Sequence, residues 1–401
     1  MKKFRLLGDV EPSKDLYLLL WIGGLYSLSI ALSNTFVNVF IWKQSGDYVQ
    51  LGIYNLLIVI FQPLTFVLAG RWAKKIDRVL VLRIGVVALA IFYIVVLLLK
   101  ENASSYLLLF GALLGTGYGF YWLSFNVLTF EITEPETRDF FNGFLGILTS
   151  FGGIVGPFFA GWVIARLVGN TGYTVIFSVS LFLFAIAVVL SFFLKPRPAK
   201  GRYDLVTVFK ERKNNINWRM VTWAHFFQGL REGTFIFVVS IFVFITTESE
   251  LALGTFGLVN SGIAFVAYYA VSRFLKPKFR LKGMLIGGML LYAVIFLLLF
   301  DLTFVKLIIY AVCIAVAYPL LLVPYISMTY DVIGKSKDAG EKRIEYVVIR
   351  ELFLNGGRIT SILAFIVAVG VFDEAKSLPY LLLIIGSGHT WIYFFMRRVK
   401  V

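Results

Sequence analysis

Histidine and cysteine are almost missing from this sequence: two of the first and one of the second in 401 residues. A single thiol, Cys313, excludes an intramolecular disulfide and any cysteine-built metal cluster. Two isolated imidazoles, His225 and His389, do not make a metal site, so no metal and no cofactor is expected. Charge is scarce as well. Charged residues are 15% of the chain against 59% hydrophobic, where a soluble domain carries about a quarter charged. With no metal-ligand cluster and no large polar domain to house catalytic groups, an enzyme is not expected.

What the chain has instead is apolar length. Mean hydropathy is +0.84, the signature of an integral membrane protein. The opening MKKFRLLGDVEPSKD is charged, and the apolar run behind it is long enough to span, so no cleavable signal peptide is expected. Twelve apolar segments follow at roughly 17–41, 48–70, 79–99, 105–129, 141–164, 172–194, 219–245, 254–275, 282–301, 303–328, 346–372 and 378–396. Most exceed the ~20 residues that cross a ~30 Å hydrocarbon core. The boundary between the ninth and tenth rests on Asp301 and a tight turn.

Loop charge tests that count. With the N-terminus inside, about 30 of the 38 Lys and Arg fall on the cytoplasmic side and about five outside. The densest groups are Arg71, Lys74, Lys75, Arg78 and Arg83 after the second segment, and eight basic residues between Lys195 and Arg219. The bias predicts a multi-pass protein of the cell membrane with both termini cytoplasmic. It also explains the net charge of +15 by topology and contact with anionic lipid, so nucleic acid is not a partner.

Six segments precede the longest connection and six follow it. The expected division is a six-helix bundle over 1–194, a cytoplasmic linker over 195–218 and a second six-helix bundle over 219–401. Within the linker, YDLVTVFKE reads as a short amphipathic helix. A weak repeat supports two halves: Phe130-Glu131, Arg138-Asp139 and Asn142-Gly143 are echoed by Tyr330-Asp331, Arg350-Glu351 and Asn355-Gly356.

The loop GRWAKKIDRVLVL, Gly70 to Leu82, resembles the signature G-x-L-A-D-R-x-G-R-K-x-x-L of the major facilitator superfamily. Gly70, Ala73, Arg78 and Leu82 match in place. The family's Asp falls on Lys74 and its second Gly on Asp77, which leaves Asp77 to supply the displaced carboxylate. The fifth segment reads GFLGILTSFGGIVGPFFAG. It is similar to the family's antiporter signature G-x8-G-x3-G-P-x2-G-G, with Gly143, Gly152, Gly156, Pro157 and Gly161 in register and Ala160 for the other Gly. Small residues at this spacing let helices approach closely.

The resemblance implies an all-α membrane protein: twelve transmembrane helices in two pseudo-symmetric six-helix bundles. It implies alternating access, with Gly70, Asp77, Arg78 and the fifth-segment glycines at the gate and interface, and a monomer. It leans towards proton-coupled export of a small, amphipathic molecule, an antiporter acting in efflux. Symport of a nutrient or sugar, or lipid flipping, are the alternatives. The partners are a small-molecule substrate, the proton gradient and membrane lipids. One part departs from the pattern: proton-linked exporters often carry R-x-x-Q-G in the fourth helix, and here that stretch is Gly111-Ala-Leu-Leu-Gly115.

Coupling groups are therefore expected in the second half. In WAHFFQGLREGTF, His225, Gln228 and Glu232 share a helix face with Arg231 flanking. In the eleventh segment Glu351, Asn355 and Arg358 share another. At 1.5 Å per residue Glu232 and Arg358 lie roughly 20 and 18 Å deep, so they are expected to pair across the bundle. Charges at mid-membrane cost at least ~2.5–3.5 kcal/mol each and normally pair or face a cavity. The network is then Arg231, Glu232, Glu351, Asn355 and Arg358. In the family, helices 1, 4, 7 and 10 line the cavity; here they offer Asn34, Asn38, Tyr118, Tyr121, Trp122, Asn126, Gln228, Tyr318 and Tyr325. Both histidines are expected to be structural.

Overall fold

The computed structural model describes residues 13–133, 135–198, 201–299 and 301–400, with side chains described in all of these except residues 101, 103, 104, 130, 135–140, 142 and 143. Among the described residues, twelve helical stretches are long and apolar enough to cross a membrane. The first six spans are α1 (Lys14–Ser45), α2 (Tyr48–Lys75), α3 (Arg78–Leu99), α4 (Leu107–Ile132), α5 (Pro135–Arg166) and α6 (Thr171–Phe192). A short helix α7 (Leu205–Glu211) lies in the long connection, as the pattern of YDLVTVFKE predicts. The second six are α8 (Ile216–Thr247), α9 (Glu250–Phe274), α10 (Arg280–Ala293) with a 3-10 turn, α11 (Phe304–Lys335), α12 (Arg343–Val371), and α13 (Glu374–Gly386) with α14 (Gly388–Met396), which form one interrupted span. The segments read from the sequence all correspond to spans, including the separation of the ninth and tenth.

The helix ends are set by local chemistry. Asp47, Asp77, Asn215, Ser249 and Thr303 each cap a helix by accepting from a backbone N–H of its first turn, which satisfies a donor the helix itself leaves unpaired. The two halves repeat one turn. Between α1 and α2, Gly46 takes a left-handed conformation (φ 58°) and Asp47 caps the next helix. Between α8 and α9, Glu248 takes it (φ 49°) and Ser249 caps. Each is the first tight turn of its bundle.

Because the number of spans is even, residues 13 and 400 lie on one face, which also carries the basic connections α2–α3 and 193–215. We call it the basic face and the other the distal face. The bundles meet along two seams. In one, α2 lies along α12: a Cβ on Gly52 would sit 2.6 Å from Ile366 near the distal face, and one on Gly70 3.1 Å from Val348 near the basic face. In the other, α5 meets α9. A Cβ on Gly161 would strike the Glu250 carbonyl, and one on Gly254 would lie 2.5 Å from that of Pro157. Towards the basic face, a Cβ on Gly146 would meet nothing within 4 Å among the described residues.

Candidate functional site

The ionisable groups at depth sit where α8 and α12 cross. A Cβ on Gly229 would overlap the Leu354 carbonyl, and one on Gly357 would overlap that of Phe226. The two backbones therefore touch reciprocally. Gly229 and Gly233 form a G-x-x-x-G face, the small-residue pattern that allows such an approach. Thr234 Oγ1 and Ser361 Oγ join the same helices at 2.8 Å. This crossing aims Glu232 at Arg358: Arg358 Nη2 donates to Glu232 Oε2 at 2.7 Å. The other carboxylate oxygen accepts from Gln228 Nε2 and from the Tyr318 hydroxyl, both at 2.8 Å. Each charge thus has a partner in a region where an unpaired one is costly.

The remaining members of the expected network divide. Glu351 pairs with its neighbour Arg350 at 2.7 Å, about two turns nearer the basic face. Asn355 bridges the two pairs: its Nδ2 donates to the Glu351 carbonyl at 3.0 Å, and its Oδ1 accepts from Arg358 at 3.4 Å. Arg231 is buried and joins neither pair. Its Nη2 donates to the Leu291 carbonyl at 3.4 Å, and its guanidinium lies 4.7 Å from the centre of the Phe235 ring.

Two cavities meet at Arg358. One, of about 440 Å³, is lined by Tyr118, Trp122, Asn126, Gln228, Glu351 and Arg358, with residues of both bundles. It continues towards the basic face in a space of about 560 Å³ that shares Trp122, Asn126 and Tyr330 with it. The other, of about 550 Å³, lies on the distal side, with Thr35 and Pro157 from the first bundle and Glu232, Tyr268, Tyr318 and Arg358 from the second. Four expected cavity residues stand apart from these walls. Tyr121 is fully buried and stacks on Tyr26 at 3.9 Å. Tyr325 is fully buried against His225 at 4.8 Å. Asn38 accepts from Asn55 at 2.8 Å and donates to the Asn34 carbonyl at 3.3 Å, while Asn34 Oδ1 accepts from Tyr118 at 3.2 Å. Aromatic and amide groups are numerous enough here to serve packing as well as the cavity.

Ion pairs join the bundles at both ends. On the basic face, Lys74 of α2 pairs with Glu345 of α12 and donates to the Glu341 carbonyl at 2.8 Å. Glu345 also accepts from the Asp204 backbone N–H at 3.1 Å, and Tyr203 donates to the Val67 carbonyl at 3.2 Å, so the linker is tied to the same contact. Asp204 caps α7; hydrogen bonds from the Thr207 hydroxyl and backbone N–H hold its carboxyl below the usual range. Asp77 is not the carboxylate that Lys74 meets. Its Oδ1 accepts from Leu80 N at 2.9 Å as the cap of α3, and Arg78 beside it pairs with Glu131 at 2.6 Å. On the distal face, Glu250 Oε1 accepts from both Lys43 and the Tyr173 hydroxyl at 2.8 Å.

The glycines of α5 split between two neighbours. A Cβ on Gly152 would lie 3.2 Å from the Leu28 backbone and one on Gly156 2.9 Å from Ala31, both on α1. Pro157 and Gly161 face α9. The surroundings of Gly143 lie outside the described residues. Glu250, Glu345 and the G-x-x-x-G pair escaped the sequence reading. Only the last carries a local signal, since the other two find their partners about two hundred residues away or more.

Comparison with known proteins fits this architecture. The model of the Major Facilitator Superfamily matches residues 19–340. "Uncharacterized protein YqgE" of Bacillus subtilis (strain 168) is 62% identical over 396 residues, covering 99% of this chain and 92% of that protein. "Uncharacterized protein in sodM 3'region" of Geobacillus stearothermophilus is 54% identical over 206 residues, 51% of this chain and 96% of that one. Among solved structures, the nucleoside transporter NupG aligns with a TM-score of 0.72 at 14% identity, over 96% of this chain and 100% of that one. The human organic anion transporter MFSD10 aligns at 0.68 and 14%, again over 96% and 100%. A bacterial homologue of the iron transporter ferroportin, in an outward-facing state, aligns at 0.67 and 15%, over 96% and 99%. At these identities the structures speak for the fold alone.

Proposed function

The chain belongs to the Major Facilitator Superfamily, and from that premise we propose that it is a proton-coupled secondary transporter of a small amphipathic molecule, working by alternating access. The observation that carries this reading is the position of Glu232, whose carboxylate is paired with Arg358 where two cavities meet. A carboxylate at that point is reached from one side or the other as the bundles rock, and its protonation releases Arg358. The cavity walls combine aromatic rings with few charges, which suits an amphipathic solute.

The basic face is read as cytoplasmic on the distribution of Lys and Arg. Lys74–Glu345 and Lys43–Glu250 are then the inner and outer latches between bundles 1–194 and 219–401. Glycine and proline at the α5–α9 seam support an exporter, as the resemblance to the antiporter signature implies. The test is transport in sealed vesicles of the cell membrane's lipids with an imposed pH gradient, screening amphipathic solutes in both directions. Wild type is expected to couple solute and proton movement, and Glu232→Gln to lose the pH dependence. A Glu232→Gln protein whose flux still follows the gradient would refute the assignment.

A further inference from the structure

Arg231 is the one ionised group in the distal cavity wall that the Glu232–Arg358 pair leaves uncompensated. It is 6% exposed, and among the described residues no carboxylate lies within ion-pairing distance of it. Among the described residues its Nε has no hydrogen-bond partner. Across the same wall stands His389, fully buried, and neither of its ring nitrogens has a partner among the described residues. Both line the 550 Å³ cavity with Glu232 and Arg358. The interruption between α13 and α14 at Ser387 brings His389 here: a Cβ on Gly388 would lie 3.2 Å from the Arg231 backbone nitrogen.

A buried polar group without a partner is rare in a native protein, and a buried cation without a counter-ion is rarer still. Together Arg231, Glu232 and Arg358 leave this wall with one net positive charge. Beyond them the wall mixes hydroxyl and amide groups with an apolar stretch of Phe235, Leu253, Phe256 and Ile314. We propose that the distal cavity binds an amphipathic organic monoanion, its carboxylate held by Arg231 and His389 and its apolar body lying along Phe235, Leu253, Phe256 and Ile314. A dianion would exceed the single surplus charge, and a cation would meet Arg231 directly. This inference rests on the reading of the cavity as a substrate site, but not on proton coupling.

The test is thermal unfolding of the purified full chain in detergent, at fixed pH and ionic strength, with three matched probes: 4-phenylbutyrate, 4-phenylbutyramide and 4-phenylbutylamine. The carboxylate is expected to raise the midpoint in a saturable way and the amide and amine not to. Acetate, which lacks the apolar body, is expected to bind at least about 10-fold more weakly than 4-phenylbutyrate. Arg231→Gln is expected to weaken 4-phenylbutyrate at least about 10-fold, and Arg231→Lys less. If Arg231→Gln does not fold, His389→Phe takes its place, with a loss of at least about 3-fold expected. Equal stabilisation by all three probes, stabilisation by the amine alone, no stabilisation by the carboxylate, or an unchanged affinity in the variant would each overturn the proposal. Because no gradient is imposed, binding of the carboxylate without proton-driven flux would sink the coupling reading and leave this one standing.

Discussion

Lys74 of α2 and Glu345 of α12 form a buried ion pair between the two bundles at the basic face, with the carboxylate fully enclosed. The position held by Lys74 is the one at which the resembled loop signature has an aspartate. The sign of the contact is therefore reversed, and the acid comes from the other bundle. Lys74→Glu and Glu345→Lys are each expected to loosen the basic face, and the double exchange to restore it. Coupled neighbours of this kind interact by about 0.5–3 kcal/mol. The readout is the labelling rate, by an impermeant maleimide, of a cysteine placed at Asn126 in a Cys313→Ser background: faster in either single variant, near the parent rate in the double.

At the opposite end, Glu250 gathers Lys43 and Tyr173. Lys43 is 40% exposed, so the pair with it is worth about 1 kcal/mol or less. Glu250→Gln keeps an acceptor for Tyr173 and removes the charge. It is expected to shift the balance of states towards distal opening only a few-fold, measured as labelling of a cysteine placed at Thr35. No change in labelling would show that the closure lies in the Gly161–Glu250 backbone contact instead.

For the central pair, stability and transport are expected to separate. Arg358→Met alone leaves Glu232 buried without its cation, a loss of about 3–5 kcal/mol. Combining it with Glu232→Gln removes both charges, and thermal stability should return to within about 1 kcal/mol of wild type, or above it. Transport should not return. A double variant that is active would show the pair to be structural only.

On α5, Gly156→Leu forces a side chain into Ala31 of α1. Overpacking of this kind costs about 1–3 kcal/mol. Vesicle flux is expected to fall at least about 10-fold while solute affinity in detergent changes little. Flux within a factor of two of wild type would mean that α1 and α5 do not need their present spacing.

The linker is expected to carry a pH dependence, and its sign follows from Asp204. The Asp204 carboxyl is held below its ordinary range by the Thr207 hydrogen bonds. Its contribution is complete above the unfolded-state pKa and lost as pH falls through the lower folded value. Limited proteolysis around α7 should therefore accelerate below the ordinary carboxylate range in wild type. In Asp204→Ala it should already be fast at neutral pH and change less on acidification.

The spans were legible because each is a long apolar run between charged or capping residues, and lipid leaves the backbone no alternative to a helix. Glu232 and Arg358 were legible because helical periodicity and depth put both at one level. Their partner Tyr318 was named as a cavity residue, but its bond to the carboxylate depends on how α11 packs. Tyr121 and Tyr325 show the limit of the same method. In a chain that is 17% aromatic, face and depth do not distinguish a ring that lines a cavity from one that fills a helix contact. Glu345 and Glu250 were illegible for another reason: their meaning lies in lysines on the other bundle. Asp77, next to the right loop, was the plausible acid and is a helix cap.

The reciprocal contact of Gly229 and Gly357 makes α8 and α12 a single stiff strut. Glu232 and Arg358 ride on it together, so no swing of one bundle past the other separates them. The two terminal ion pairs are different: each spans the bundles, and the proposed swing would shear it. On the proposed mechanism, mechanical work would open the ends, while only chemistry, a proton or a competing ion, would undo the centre. The protein keeps its clutch on one shaft and its brakes between shafts.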